Sequence, residues 1–302
     1  MSSAAGVATP GRSGSVAPDS PLLSISGLSI DYLGERTVHA VANVSLQLGR
    51  GEIIGLAGES GCGKSTLAYG INQLLVPPAV ITEGGVTFHD RSGDDIDVLA
   101  LEDKELRRYR WNKVSMVFQG AMNSLNPVIS VRAQLNDVFA THRPQMSKAE
   151  RRLRSGELLE LVGVDPKRLD SYAHELSGGM RQRVMIAMAL ALDPELMIMD
   201  EPTTALDVVV QRDILLEITR LREELGFAVI FITHDLPLLL EISDRIAIMR
   251  HGRIVEMASA EEIFFAAQDP YTRQLLRSFP SLTGERGDFI RHGAQLENEE
   301  VR

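Results

Sequence analysis

Apolar side chains follow three rhythms along this chain. The first is strict alternation, in Leu22-Leu23-Ser24-Ile25-Ser26-Gly27-Leu28-Ser29-Ile30 and again from Val38 to Leu48. That pattern predicts strands with one buried face, and hence an antiparallel β-layer near the N-terminus. The second rhythm is the short unbroken apolar run, in Gly51–Ala57, Lys113–Gln119, Leu196–Pro202 and Phe227–Thr233. Such runs, bounded by turn residues and too brief for helices, predict strands buried on both faces. The third is helical spacing: Leu67, Ile71, Leu74 and Leu75, the stripe Leu153, Leu158, Leu161 and Val162, the Ala- and Met-rich stretch Val184–Leu192, and Val208–Leu225. Ser147-Lys148-Ala149-Glu150 has the capping-box form ahead of the second of these, and Gly163 with Asp165-Pro166 can stop it. Ile246–Met257 reads as a hairpin turning at His251-Gly252, and Glu261–Ala267 as a helix.

These elements predict an α/β fold in which a mixed core sheet follows an N-terminal antiparallel β-layer and an α-helical subdomain, at about 120–192, is inserted between two sheet segments. Residues 1–20 are Ala, Gly, Ser, Pro and Thr with almost no bulky apolar side chain, and are expected to form a disordered leader. Residues 21–270 would form the main domain and 271–302 a tail whose polarity rises from Thr283 onward. The acidic passage Asp90–Asp95 is expected to be a surface hairpin excursion.

Composition narrows the function. Across 302 residues, 44% are hydrophobic, enough for a sizeable interior, and the net charge of −10 disfavours a nucleic-acid surface. No apolar run approaches the ~18 residues of a membrane span. The single cysteine, Cys62, allows neither an intramolecular disulfide nor a thiolate cluster, which fits a reducing compartment.

The candidate chemistry centres on Gly58-Glu59-Ser60-Gly61-Cys62-Gly63-Lys64-Ser65-Thr66, placed between a predicted strand and a predicted helix. Glycines at 58, 61 and 63 let backbone N–H groups turn inward around a polyphosphate at a helix N-terminus. Lys64 would place its charge on the β- and γ-phosphates, and the Ser65 hydroxyl would complete a Mg2+ shell. A chance match in a chain of this length has odds on the order of one in a hundred, so nucleotide binding follows from this stretch alone. Asp200 and Glu201 end a predicted strand; they would hold Mg2+ and polarise an attacking water, or serve only as turn residues. Ser177-Gly178-Gly179, at a predicted helix start, is a second anion cradle, of use to one polypeptide if the two cradles meet across a dimer. Tyr32 would stack on a base or be an ordinary half-buried tyrosine. Gln119 would be functional or merely solvated at a strand end, and His234 would reach a γ-phosphate or cap the next helix.

In this order the motifs resemble the P-loop NTPases of the ATP-binding-cassette (ABC) group. Gly58–Thr66 is similar to the Walker A loop, Gln119 to the Q-loop glutamine, and Leu176-Ser177-Gly178-Gly179-Met180 to the family signature. Met197–Glu201 is similar to Walker B with its catalytic glutamate, Thr204–Asp207 to the D-loop, His234 to the H-loop histidine and Tyr32 to the A-loop aromatic. The resemblance implies ATP contacts at Tyr32, Gly58, Ser60, Gly61, Cys62, Gly63, Lys64, Ser65, Thr66, Gln119, Ser177, Gly178, Gly179 and Asp207. It implies Mg2+ at Ser65, Gln119 and Asp200, and catalysis by Glu201 with His234 and Lys64.

Phe118–Pro127 and the tail residues Asp269-Pro270-Tyr271-Thr272, Leu275-Leu276 and Pro280 look like the oligopeptide/dipeptide importer branch. That branch implies an ATP-sandwich with a second cassette, identical or a sister chain, on two membrane permease subunits at the cytoplasmic face, fed by an extracytoplasmic solute-binding protein. The shortened tail carries no cysteine after Cys62, so no iron–sulfur cluster is expected, and related cassettes serve peptides, nickel and oligosaccharides. Two alternatives remain at this point: a soluble ABC ATPase in nucleic-acid repair or translation without a membrane partner, and a P-loop kinase or GTPase.

Overall fold

A computed structural model of the chain describes residues 21–120, 124–204 and 206–278. The expected leader, the end of the tail including Pro280, and three residues of the loop after Gln119 lie outside them. The order begins β1 (Pro21–Tyr32), β2 (Val38–Gly49), β3 (Ile53–Ala57), α1 (Lys64–Ile71), β4 (Ala79–His89) and β5 (Asp95–Asp97). It continues α2 (Asp103–Asn112), β6 (Val114–Val117), α3 (Val131–His142), α4 (Lys148–Leu161), α5 (Gly178–Ala189) and β7 (Leu196–Asp200). The last elements are α6 (Val208–Leu225), β8 (Ala228–Ile232), α7 (Leu236–Ile242), β9 (Arg245–Arg250), β10 (Arg253–Ser259), α8 (Ala260–Ala266) and α9 (Pro270–Arg277).

Two sheets result. The antiparallel one has the order β2-β1-β4-β5, so the layer is completed by strands that come after the phosphate-loop motif. The core sheet has the order β10-β9-β3-β8-β7-β6 and is parallel except for β10, which pairs antiparallel with β9 across the His251-Gly252 turn. Every residue of β3, β7 and β8 is buried, as continuous apolar runs require when both faces of a sheet are covered. Alternation then sorts their side chains. Ile53, Met197, Met199, Val229 and Phe231 pack toward the helices, with Leu135, Phe139, Leu158 and Val184 in the same core. Ile54, Leu56, Ile198, Ile230 and Ile232 pack toward α1 and the antiparallel sheet, meeting Leu67, Ile71, Ile25 and Phe88.

A shared carboxylate helps fix the two sheets together. Glu195, just before β7, receives Arg50 from the end of β2 at 2.9 Å, Arg91 from the β4–β5 turn at 3.0 Å and Lys113 from the start of β6 at 3.0 Å. Lys113 also meets Asp90 at 2.6 Å. The acidic hairpin excursion is therefore present as expected and is docked to the core sheet by charge.

Three local expectations are corrected. α1 ends at Ile71, so Leu74 and Leu75 lie beyond it. Leu153 is 67% exposed, and the buried stripe of α4 runs instead through Leu158 and Leu159 to Val162. α2 was not anticipated: its sequence is mostly charged, only Leu106 and Tyr109 are buried, and its start is held by a Glu102–Glu105 capping box. The Ser147 box on α4 forms as read, with Ser147 Oγ accepting from Glu150 N and the Glu150 carboxylate accepting from Ser147 N.

Candidate functional site

The site sits at the carboxyl ends of β3, β7 and β8, where the backbone of parallel strands opens toward helix N-termini. The loop leaving β3 turns through left-handed glycines at 58, 61 and 63, and α1 begins at Lys64. Glycine is enforced by space at two of them. A Cβ on Gly58 would lie 2.1 Å from Met249 O, and one on Gly63 2.1 Å from Ala40 O. The loop is therefore wedged between β9 and the antiparallel sheet.

Lys64 is 6% exposed and its Nζ donates to Gly58 O at 2.8 Å and Glu59 O at 3.0 Å. Cys62 is buried beside it, Sγ 3.8 Å from Nζ. Burial pushes the Cys62 thiol up against the opposing pull of the Lys64 charge, so it remains a thiol. Ser60 and Gly61 are exposed at the loop tip. Thr66 Oγ1 lies 3.3 Å from the hydroxyl of Tyr32, which brings the end of β1 to the loop.

Ser65 Oγ donates to Asp200 Oδ1 at 3.0 Å. The other oxygen of Asp200 is buried with no hydrogen-bond partner. Burial raises the Asp200 carboxyl above the ordinary aspartate range; the Ser65 hydrogen bond and the Lys64 charge work against the shift, and the Glu201 carboxylate adds to it. A buried oxygen lacking a partner, next to a hydroxyl and below a phosphate cradle, suits a hard divalent cation with oxygen ligands. Ser65 and Asp200 thus fit Mg2+ bound chiefly through ATP phosphates. Among the described residues no cluster of three His, Cys, Asp or Glu side chains offers a fuller cage.

Glu201 follows β7 with a φ of +45°, rare for a residue with a side chain, and its N–H donates to Ile232 O of β8 at 2.9 Å. Its carboxylate receives Gln119 Nε2 at 2.8 Å and Thr204 Oγ1 at 3.1 Å on one oxygen, with His234 Nδ1 at 3.3 Å from the other. Segments following β6, β7 and β8 thus converge on one carboxylate. His234 does not cap α7; Asp235 does, accepting from Leu238 N.

Ser177 caps α5, its Oγ accepting from Met180 N at 3.3 Å. Among the described residues no hydrogen bond joins Ser177, Gly178 or Gly179 to the loop at Gly58–Thr66. Asp207 caps α6 by accepting from Val210 N at 2.9 Å. The chain therefore gathers Tyr32, the phosphate loop, Gln119, Asp200, Glu201 and His234 at one place and leaves the second cradle on a helix of its own.

Two site residues were not legible as such. Thr204 reaches Glu201, and Tyr271 of α9 accepts the Glu59 N–H at 3.1 Å. The motif containing Tyr271 stands out in the sequence, but no local pattern ties it to a partner 212 positions away.

The family model for ABC transporters matches residues 41–204. The chain is 45% identical over 263 residues to a probable peptide ABC transporter ATP-binding protein of Sinorhizobium fredii, covering 86% of this chain and 77% of that one. It is 42% identical over 267 residues to an oligopeptide transport ATP-binding protein of Bacillus subtilis, covering 86% and 72%. A solved dimeric, post-hydrolysis ATP-binding cassette bound to ADP and Pi superposes with a TM-score of 0.68 at 32% identity, over 79% of this chain and 98% of that one.

Proposed function

The chain belongs to the ABC transporter family, and we propose that within it the protein is the ATP-hydrolysing subunit of an importer of di- or oligopeptides. It is an ABC-type ATPase. The carrying observation is that Glu201, ringed by Gln119, Thr204 and His234, directly follows Asp200, which Ser65 of the loop at Gly58–Thr66 contacts by its hydroxyl. The loop amides and Lys64 hold the phosphates, and Tyr32 supplies a ring for the base. Mg2+ bound at Ser65, Asp200 and Gln119 would neutralise charge on the β- and γ-phosphates. Glu201 accepts the proton of the attacking water, while His234 orients that carboxylate and contacts the γ-phosphate.

Ser177, Gly178, Gly179 and Asp207 act on the ATP of a facing cassette, identical or a sister chain. The dimeric state of the structural relative supports this arrangement. The importer reading adds two membrane permease subunits at the cytoplasmic face and an extracytoplasmic solute-binding protein. Among the described residues no helix is long and apolar enough to cross a membrane, so attachment would run through those permeases. Peptide cargo is favoured over nickel or oligosaccharide by the names of the relatives, among them a dipeptide transport ATP-binding protein of Bacillus subtilis. No observation favours the nucleic-acid reading. Glu201→Gln tests the assignment: ATP should still bind, turnover should stop, and a closed cassette pair should accumulate on size-exclusion chromatography. Wild-type turnover in that variant would remove Glu201 from its role.

A further inference from the structure

The Asp269-Pro270-Tyr271-Thr272 motif has no part in the mechanism above, yet its tyrosine reaches the phosphate loop. Asp269 caps α9 by accepting from Tyr271 N at 2.8 Å and Thr272 N at 3.4 Å. The Glu256 carboxylate of β10 in turn accepts from Gln268 N at 2.6 Å and Asp269 N at 3.1 Å. The entry to α9 is thereby fixed to the core sheet. Tyr271 is 3% exposed, and the Arg250 guanidinium stands 4.6 Å over its ring centroid. With its ring held on one face by a cation and its backbone held by a cap, the hydroxyl has a fixed position.

That hydroxyl accepts the N–H of Glu59, whose peptide partner is the carbonyl of Gly58. The same carbonyl accepts Lys64 Nζ at 2.8 Å. One peptide unit, Gly58–Glu59, is thus gripped at its N–H by the C-terminal helix and at its C=O by the phosphate-binding lysine. When ATP draws Lys64 away, the tyrosine grip is the one that does not depend on Lys64.

We propose that Tyr271 is a positioning residue for ATP: its hydroxyl fixes the Gly58–Glu59 peptide plane, so that the loop presents its amides to the phosphates without first reordering. The inference rests on the reading of Gly58–Thr66 as the ATP site. It makes the segment after β10 part of nucleotide binding rather than an appendage to it. Losing the hydroxyl leaves the Glu59 N–H to water, since Glu59 is exposed, and the peptide then keeps only the Lys64 grip, which ATP binding removes. The loss falls on binding, because the peptide is held equally in ground and transition states.

The test compares full-length wild type, Tyr271→Phe and Lys64→Ala by equilibrium ATP binding, steady-state ATPase kinetics and amide hydrogen exchange. Tyr271→Phe keeps the ring and its Arg250 contact. It should raise both Kd and KM for ATP about 5-fold, the scale of one neutral hydrogen bond, with kcat changed by less than about 2-fold. Exchange should quicken at Glu59 while α9 keeps its protection. Wild-type Kd and KM in Tyr271→Phe, or a fall in kcat at constant KM, overturns the proposal. If α9 as a whole loses protection, the residue is merely structural and the proposal also fails. Lys64→Ala separates the underlying reading: undiminished ATP binding there would sink the phosphate-loop assignment itself, whatever Tyr271→Phe does.

Discussion

Alanine at Gly63 and at Gly61 should have unequal effects, though both glycines belong to one motif and both have positive φ, +108° and +78°. At Gly61 an added Cβ meets nothing within 4 Å. The cost is then the left-handed backbone alone, about 1–2 kcal/mol. At Gly63 the Cβ would sit 2.1 Å from Ala40 O and 3.0 Å from Met249 Cε. Met249 can swing aside, but the Ala40 carbonyl is strand backbone in β2 and would have to retreat by roughly 1 Å, an overpacking cost of about 1–3 kcal/mol added to the strained φ. Gly63→Ala should therefore lose about 2–5 kcal/mol and Gly61→Ala about 1–2 kcal/mol in urea unfolding of the nucleotide-free protein. Equal losses, or a larger one for Gly61→Ala, would refute the wedging of this loop between β2 and β9.

Two further outcomes follow from features remote from the reaction. Glu195→Ala leaves Arg50, Arg91 and Lys113 without their common carboxylate, which is 10% exposed; allowing for the partial exposure of the three cations, it should cost about 2–4 kcal/mol by urea unfolding. On α4, hydrogen bonds from Ser147 hold the Glu150 carboxyl below its usual range. A depressed folded value stabilises above the unfolded pKa of about 4.3 and ceases to do so as pH falls through the folded one. The largest cause is the Ser147 backbone N–H, which a change of that side chain keeps, so Glu150→Gln, which removes the titrating group, should flatten the acid limb of urea midpoints measured below pH ~5.

Much of the fold could be read from local signals because those signals coincide with burial. β3, β7 and β8 are continuous apolar runs, α6 spans Val208–Leu225 as its pattern predicts, and Ser177 and Ser147 cap their helices. The misses share a cause: tertiary contact decided what spacing could not. α2 has two buried side chains among ten residues, too few for an apolar stripe. Leu153 obeys helical spacing but falls on the solvent face of α4. β4 joins the antiparallel sheet beside β1 although α1 intervenes. At the site, phosphate-loop residues announce themselves by glycine spacing, whereas the Thr204 and Tyr271 hydroxyls become meaningful only through what they touch.

The ammonium of Lys64 has a consequence for how a nucleotide enters. Already stripped of most of its water and resting on two carbonyls of its own loop, it greets ATP as a bound cation rather than a hydrated one. Capture is then an exchange of oxygens, carbonyl for phosphoryl, with the dehydration of the lysine settled when the chain folded. The vacated carbonyl of Gly58, which is buried, must find a new donor in the same movement, while that of Glu59 keeps the Cys62 N–H, so occupancy of the pocket is written directly into the shape of its rim.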